Sequence, residues 1–320
     1  MNIVIIGQGA IGLLWYHHIL KLINNNCDYQ KTTLRLLSSQ HSPLKDSRFY
    51  KESIPLEHYS FTDHDGEVHI GELNYANSDS IQKADVIMLC LKSFQVSSAL
   101  KSISRLMKKH TSIILSHNGM GTLTEIPDDI KKERNIYALL TTHGCLRSSP
   151  LVIKHTGIGV SDIGLVSGKT KIEEQQSLTE LLNSALAPVS FHQRIKQKQW
   201  LKLAINCVIN PLSAINNVKN GQINNSEFRE EVSAILTEVS VVAKAENIVL
   251  NVEELIKTVN TVAKATAKNS SSMRCDIQAN RKSEIDYING YIHRLGLKHN
   301  IATDKNTALW QSVKKLNSYS

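Results

Sequence analysis

The chain has 320 residues, of which 41% are hydrophobic, 21% are charged and 5% are aromatic, and its formal net charge is +8. This composition predicts a globular protein of two domains, and the apolar runs are far too short to span a membrane. Nucleic-acid binding is not expected, because no basic run is interleaved with aromatic residues; the positive charge suits an anionic small molecule better.

The first part of the chain alternates predicted strands with predicted helices. The strands are predicted over Asn2–Ile6, Thr32–Leu37, Asp85–Leu91, Ser112–Ser116, Ile136–Thr142 and Pro188–His192. The helices between them are predicted over Leu13–Ile23, Phe94–Met107 and Ile172–Leu186. The segment 150–165 predicts a hairpin. This alternation is typical of a parallel sheet covered by helices on both faces.

From Arg194 onward only helices are predicted, over Gln197–Asn216, Ser226–Glu246, Asn251–Lys264, Asp276–Leu295 and Ala302–Leu316. The sequence therefore predicts an α/β Rossmann-type N-terminal domain with a parallel sheet, residues 1–193. An all-α C-terminal domain, residues 194–320, would follow it.

The five cysteines are scattered and form no CxxC pair, which predicts reduced thiols in a cytoplasmic protein. The first residues enter a strand at once, so no secretory signal is expected. The histidines show neither HExxH nor paired ligand spacing, and no metal is predicted.

The pattern Gly7-x-Gly9-x-x-Gly12 directly follows the first predicted strand and opens the first predicted helix. In that context the first glycine forms a tight turn, the second admits a pyrophosphate and the third lets the helix pack on the strand. The free N–H groups of the helix then bind the phosphates. The sequence therefore predicts a dinucleotide-binding loop; the alternative is an ordinary strand–turn–helix.

The end of the second strand bears on which dinucleotide is bound. Asp28, which precedes the strand, is the one acidic residue between Gly12 and Lys45. The strand is followed by Ser38-Ser-Gln-His41, with Lys45 and Arg48 nearby. Hydroxyl groups and cations suit a 2′-phosphate, so NADP is favoured over NAD, without assigning the phosphate to one residue.

Lys202, Asn206 and Asn210 recur every four residues in the otherwise apolar run Trp200–Ser213. On a helix they form one polar stripe among apolar faces. Such a stripe lines a ligand-binding cleft or, alternatively, bonds to neighbouring backbone in a core helix. Lys92 and Asn118 each follow a predicted strand, at the sheet edge where ligands of such sheets bind; each alone is equally well a solvated loop residue.

These residues and motifs resemble the ketopantoate reductase (2-dehydropantoate 2-reductase) family over nearly the whole chain. The resemblance rests on the blocks GQGAIG, CLKSFQV, SHNGMGT, TTHG, WLKLAINCVINPL, NSSSM and EIDYINGY. It implies NADPH-dependent reduction of 2-dehydropantoate to pantoate in pantothenate biosynthesis.

The resemblance also implies a role for individual residues. The expected catalytic residues are Lys202, as proton donor, and Glu284. Cofactor contacts are expected from Gly7, Gln8, Gly9, Ala10, Ile11, Gly12, Ser38, Lys92, Asn118, Cys145 and Glu284. Substrate contacts are expected from Asn118, Lys202, Asn206, Asn210, Asn220 and Ser272. The family's arginine is replaced by Ser38, which bears on the preference for NADPH over NADH.

Three alternatives stay open at this point. One is a paralogous reductase with a different 2-oxo acid or imine substrate, and another is a non-catalytic NADP-sensing regulator. The presence of both Lys202 and Glu284 argues against a sensor, which needs neither. Nucleic-acid binding has only the net charge in its favour. A homodimer is compatible with the helical half but is not indicated by the sequence.

Overall fold

The structure, a computed structural model, describes residues 1–38 and 57–318. The chain forms two compact units. The first consists of Met1–Leu91, Gln95–His117 and Glu125–Ile195, and the second of Lys92–Phe94, Asn118–Thr124 and the chain from Lys196 onward. None of the helices in the described ranges is long and apolar enough to cross a membrane.

The first unit is built on two sheets. Its strands are β1 (Asn2–Ile6), β2 (Thr33–Leu37), β3 (Glu57–Thr62), β4 (Val68–Leu73), β5 (Val86–Leu89), β6 (Ser112–Leu115), β7 (Ile136–Thr141), β8 (Gly144–Ser149), β9 (Val152–Gly157), β10 (Ser161–Ser167) and β11 (Val189–Phe191). The helices up to residue 185 are α1 (Ala10–Asn25), α2 (Ser78–Lys83), α3 (Ser93–Ile103), α4 (Thr122–Glu125), α5 (Asp128–Glu133) and α6 (Ile172–Ala185).

The larger sheet has the order β11-β10-β7-β6-β5-β1-β2. All neighbouring strands in it are parallel except β7 and β10, so the predicted Rossmann-type α/β architecture is confirmed. Strand β1 pairs with β2 on one side and with β5 on the other. The loop after β1 therefore lies at the point where the strand order reverses, which is where open α/β sheets bind ligands.

The smaller sheet has the order β4-β3-β9-β8 and corrects one prediction. The segment 150–165 does not form a hairpin, because its two strands belong to different sheets. β9 pairs antiparallel with β8 and parallel with β3, whereas β10 pairs with β7. Both edges of β9 are therefore occupied, by β8 and β3, and no edge remains to pair with β10.

From Lys196 onward the described chain contains helices and short 3-10 turns but no strand, which confirms the predicted all-α half. The helices are α7 (Ile195–Ile215), α8 (Arg229–Ala245), α9 (Val252–Ala265), α10 (Ser272–Gln278), α11 (Asn289–His299) and α12 (Asp304–Ser318). They pack around a core in which Trp200 and Val239 are fully buried.

The prediction of one helix over Asp276–Leu295 is wrong. Helix α10 ends at Gln278, and Asn280 has a positive φ of 51°, the left-handed conformation that ends helices. A 3-10 turn, Ile285–Tyr287, precedes α11. The break leaves Ser283 and Glu284 buried, at 1% and 4% exposure.

Histidines collect where α1 packs on the smaller sheet. The ring of His17 stacks on Phe61 with centroids 3.9 Å apart, and His143 Nδ1 lies 3.1 Å from His155 Nε2. Burial lowers the pKa of His17 and of His143 to about 4, and that of His18 to about 3. These rings are therefore neutral in the folded protein at pH values where the unfolded chain protonates them.

This arrangement predicts acid-sensitive stability. Below the ordinary histidine pKa of 6.5 the unfolded chain binds protons that the folded chain excludes until about pH 4, so the free energy of unfolding falls across that interval. His18 Nε2 is buried and has no hydrogen-bond partner in the described ranges, so His18→Leu should not destabilise the protein at pH 7. It should also reduce the loss of Tm between pH 7 and pH 5.

Thermal denaturation across pH measures this effect. His58→Leu is the control, because the His58 side chain is 53% exposed and its removal should leave the pH dependence of Tm unchanged. A His18→Leu variant with the wild-type pH dependence would contradict the assignment.

Candidate active site

The glycine loop has the geometry that its pattern predicts. Gly7 has a φ of +109°, and a Cβ there would lie 2.5 Å from the carbonyl oxygen of Cys90. A Cβ on Gly12 would lie 1.9 Å from the carbonyl oxygen of Gly7. In contrast, a Cβ on Gly9 would meet no atom of the described chain within 4 Å. Gly9 leaves open space at the N-terminus of α1, where the pyrophosphate of a dinucleotide fits.

Strand β8 contacts the same loop. The thiol of Cys145 lies 3.4 Å from the carbonyl oxygen of Ala10, and Arg147 Nη1 donates to the carbonyl oxygen of Gln8 at 3.5 Å. Ile11, like Gln8 and Ala10, is half-buried. Burial raises the pKa of Cys145 to about 12, so this residue stays a neutral thiol. Arg147 was not predicted from the sequence, because nothing in the strand pattern shows which strand covers the loop.

Ser38 follows β2 directly and is 3% exposed. Its neighbour Leu37 accepts a hydrogen bond from the backbone N–H of Gly7 at 2.9 Å, which places the end of β2 beside the glycine loop. The other residues considered for a 2′-phosphate, from Ser39 to Arg48, lie outside the described residues.

Glu284 is the centre of a polar cluster in the helical unit. Its Oε1 accepts from the backbone N–H of Ser93 at 3.0 Å and from that of Asn118 at 3.3 Å. Its Oε2 accepts from Asn118 Nδ2 at 3.3 Å, and the side chain is 4% exposed. The structure therefore brings Glu284 and Asn118 together, two residues predicted from separate sequence blocks.

Lys92 completes this cluster. Its ammonium lies 3.6 Å from Glu284 Oε2 and 2.5 Å from Asp276 Oδ2, on α10. Asp276 is 3% exposed and was not predicted as a site residue. One ammonium thus lies between two buried carboxylates, which lowers the cost of burying both charges.

The predicted polar stripe lies on α7. Lys202 and Asn206 are half-buried, and Asn210 is 6% exposed. Asn206 Nδ2 is buried and finds no hydrogen-bond partner among the described residues. A buried amide without a partner costs about 1–3 kcal/mol, so it is a group that a polar ligand would satisfy.

Pro211 explains a contact that the sequence did not reveal. Proline has no N–H, so the carbonyl of Cys207, four residues earlier in α7, loses its helical hydrogen bond. Asn289 Nδ2 donates to that carbonyl at 3.0 Å, and also to Asn306 Oδ1 at 3.0 Å. Asn289 is fully buried and therefore serves the packing of α7, α11 and α12.

The remaining predicted substrate residues lie around the start of α10. The backbone N–H of Asn220 donates to the carbonyl of Asn269, and Asn220 Oδ1 is buried with no partner in the described part of the chain. Ser271 caps α10 and lies 2.7 Å from Ser213 Oγ of α7. Ser272, the predicted carboxylate ligand, is the first residue of α10 and is exposed.

The first unit contains one further group of potential ligand side chains. Asp63 and Glu67, in the turn between β3 and β4, and His69, in β4, bring one potential ligand atom each within 4.8 Å of one another. Asp63 Oδ1 accepts from the backbone N–H groups of Asp65 and Glu67. His69 Nε2 lies 3.4 Å from Asp63 Oδ2, so hydrogen bonds to Asp63 account for the grouping.

Comparison with known proteins identifies the family. The profile described as "Ketopantoate reductase PanE/ApbA" matches residues 3–168, and the one described as "Ketopantoate reductase PanE/ApbA C terminal" matches residues 194–317. The chain belongs to the ketopantoate reductase family. A 2-dehydropantoate 2-reductase of Vibrio cholerae is 36% identical to it over 316 residues, 99% of this chain and 98% of that protein. The Escherichia coli O157:H7 protein of the same name is 32% identical, over 99% and 96% of the two chains.

Solved structures share the fold of this family member over the whole chain. A PanE/ApbA family ketopantoate reductase from Ralstonia eutropha superposes with a TM-score of 0.80 at 20% identity, covering 100% of this chain and 99% of that one. A D-mandelate dehydrogenase solved with NADH and anilino(oxo)acetate superposes with a TM-score of 0.84 at 24% identity, with the same coverage.

The surroundings of Gly12 and Gly9 predict different effects of alanine substitution, on stability at Gly12 and on dinucleotide binding at Gly9. Gly12→Ala places a methyl group against the Gly7 carbonyl, so it should lower the free energy of unfolding by about 1–3 kcal/mol or more. Gly9→Ala meets open space in an extended conformation, so it should change that energy by less than about 0.5 kcal/mol. It should instead weaken dinucleotide binding by about tenfold, a loss of about 1.4 kcal/mol, because the methyl group occupies the space for the pyrophosphate.

Thermal denaturation and fluorescence titration with NADPH separate the two effects. Equal loss of stability in the two variants, or full NADPH affinity in Gly9→Ala, would contradict the assigned roles of these glycines.

Proposed function

We propose that the chain is a 2-dehydropantoate 2-reductase that uses NADPH to reduce 2-dehydropantoate to pantoate. Relatives of that name are 30% or more identical over nearly the full length of the chain, which supports this activity. Other 2-oxo acids and imines are the substrates of the main alternative, a paralogous reductase.

The structural observation that carries the proposal is the cluster around Glu284. A buried carboxylate is joined there to the side chain of Asn118 and to the ammonium of Lys92. Such a group offers hydrogen-bond acceptors and donors for a small polar molecule and for the ribose hydroxyls and amide of a nicotinamide nucleotide. A protein that only senses a dinucleotide would not need a buried acid in addition to Lys202.

We assign the cofactor to the glycine loop, with residues 1–193 as the dinucleotide-binding domain and residues 194–320 as the substrate domain. The residues assigned to cofactor binding are Gly7, Gln8, Gly9, Ala10, Ile11, Gly12, Ser38, Lys92, Asn118, Cys145 and Glu284. The absence of an acidic residue in the sequence from Lys31 to Lys45 supports NADPH over NADH, because a carboxylate there would repel a 2′-phosphate.

The roles assigned to the substrate residues come from the family resemblance, and their charge and hydrogen-bonding capacity support them. When bound, NADPH supplies the hydride that the ketone carbon receives. The ketone oxygen then gains negative charge, and Lys202 stabilises that charge and donates the proton that completes the hydroxyl group. Asn206, Asn210, Asn220 and Ser272 bind the rest of the substrate, in which Ser272 takes the carboxylate. Glu284 accepts from the substrate hydroxyl.

Lys202→Ala tests this mechanism. The variant should lose about 10²–10⁴-fold in kcat with 2-dehydropantoate, because it lacks the proton donor. Its Kd for NADPH should stay within about twofold of the wild-type value, a difference of less than about 0.5 kcal/mol. NADPH oxidation and fluorescence titration provide the two measurements.

Lys198→Ala is the matched control, since Lys198 is an exposed lysine on the same helix. It should retain the wild-type rate. A Lys202→Ala variant with near-normal turnover would exclude Lys202 as the proton donor.

A further inference from the structure

Asp276 holds one of the least exposed carboxylates of the helical unit, and it is not among the residues assigned above to cofactor or substrate. Only 3% of its surface is exposed. Its Oδ2 lies 2.5 Å from Lys92 Nζ, and its Oδ1 lies 3.4 Å from Arg281 Nε. Removing a carboxylate from water costs several kcal/mol unless such partners compensate, so this pairing is a strong constraint on Lys92.

The position of Lys92 matters because a second carboxylate competes for it. Glu284 Oε2 lies 3.6 Å from the same ammonium, farther than Asp276 Oδ2. Glu284 already accepts hydrogen bonds from two backbone N–H groups and from Asn118 Nδ2. If Lys92 moved against Glu284, it would compete with Asn118 for Oε2, since a charged donor binds a carboxylate more strongly than an amide does.

We propose that Asp276 is a positioning residue, which anchors the ammonium of Lys92 at 2.5 Å and holds it 3.6 Å from Glu284 Oε2, beyond hydrogen-bond distance of that oxygen. In this position Lys92 remains available to the dinucleotide, and Asn118 keeps its hydrogen bond to Glu284. This inference rests on the proposed function, because it takes the assigned cofactor contact of Lys92 as its starting point.

A purely electrostatic role of Asp276 predicts a different effect of Asp276→Asn on NADPH binding than a positioning role does. NADPH is an anion, so a negative charge near its site repels it, and Asp276→Asn would then strengthen NADPH binding whether or not Lys92 is present. If Asp276 acts through Lys92, the substitution weakens NADPH binding, and it does so only when Lys92 is there. A role confined to folding would lower Tm and leave the affinity unchanged.

A double-mutant cycle on the full chain distinguishes these roles. The variants are Asp276→Asn, Lys92→Met and the double variant, and the readouts are the Kd for NADPH by fluorescence titration and Tm. We expect Asp276→Asn to raise the Kd about tenfold in the presence of Lys92 and less than about twofold in the Lys92→Met background. An unchanged or lower Kd in the single variant, or equal effects in both backgrounds, would overturn the proposal.

Two controls keep the result interpretable. Glu238→Gln removes another carboxylate of the helical unit, one that binds Asn306, and should lower Tm without changing the Kd. Wild-type protein is assayed in parallel with 2-dehydropantoate. If it binds NADPH but does not turn over, the proposed function fails while the cycle still measures the coupling of Asp276 to Lys92.

Discussion

The buried carboxylate of Glu284 is the constraint on which the arrangement of the site depends. Two backbone N–H groups, an asparagine amide and an ammonium surround it and compensate for the loss of hydration on burial. These partners come from two short segments, Lys92–Phe94 and Asn118–Thr124, that are distant from Glu284 in sequence and belong to the helical unit. The backbone N–H of Met120 also donates to the carbonyl of Tyr287 at 2.8 Å. The segment after α10 therefore fixes residues that follow the strands β5 and β6.

Glu284 lies in the interruption between α10 and α11. Ser283 and Glu284 are both buried there, at 1% and 4% exposure. Lys282 Nζ lies over the ring of Phe94, 4.6 Å from its centroid. The segment between α10 and α11 therefore also contacts the short segment Lys92–Phe94. The polar residues of the EIDYINGY block thus have different tasks. Glu284 supports the site, whereas Asn289 replaces the hydrogen bond that Pro211 removes from α7.

Sequence reasoning predicted the features that depend on local patterns. The fully apolar β5, the glycine loop and the alternation of strands and helices follow from periodicity and from the steric needs of glycine. Long-range pairing is not encoded in such patterns. The strands β9 and β10 are separated only by residues 158–160, yet they join different sheets, and no local signal distinguishes this from a hairpin. Asp276 is also an ordinary helical residue until the fold brings Lys92 beside it. Within its serine run, Ser271 is buried and caps α10, whereas Ser272 is exposed.

The most direct test of the account is the rate of NADPH oxidation by the purified protein with 2-dehydropantoate. Parallel reactions contain NADH, or replace the substrate by pyruvate or 2-oxoisovalerate. The account predicts rapid turnover with 2-dehydropantoate and NADPH, with at least about tenfold lower kcat/KM for the other substrates and for NADH. Tight NADPH binding without turnover of 2-dehydropantoate, or preferred turnover of another 2-oxo acid, would contradict it.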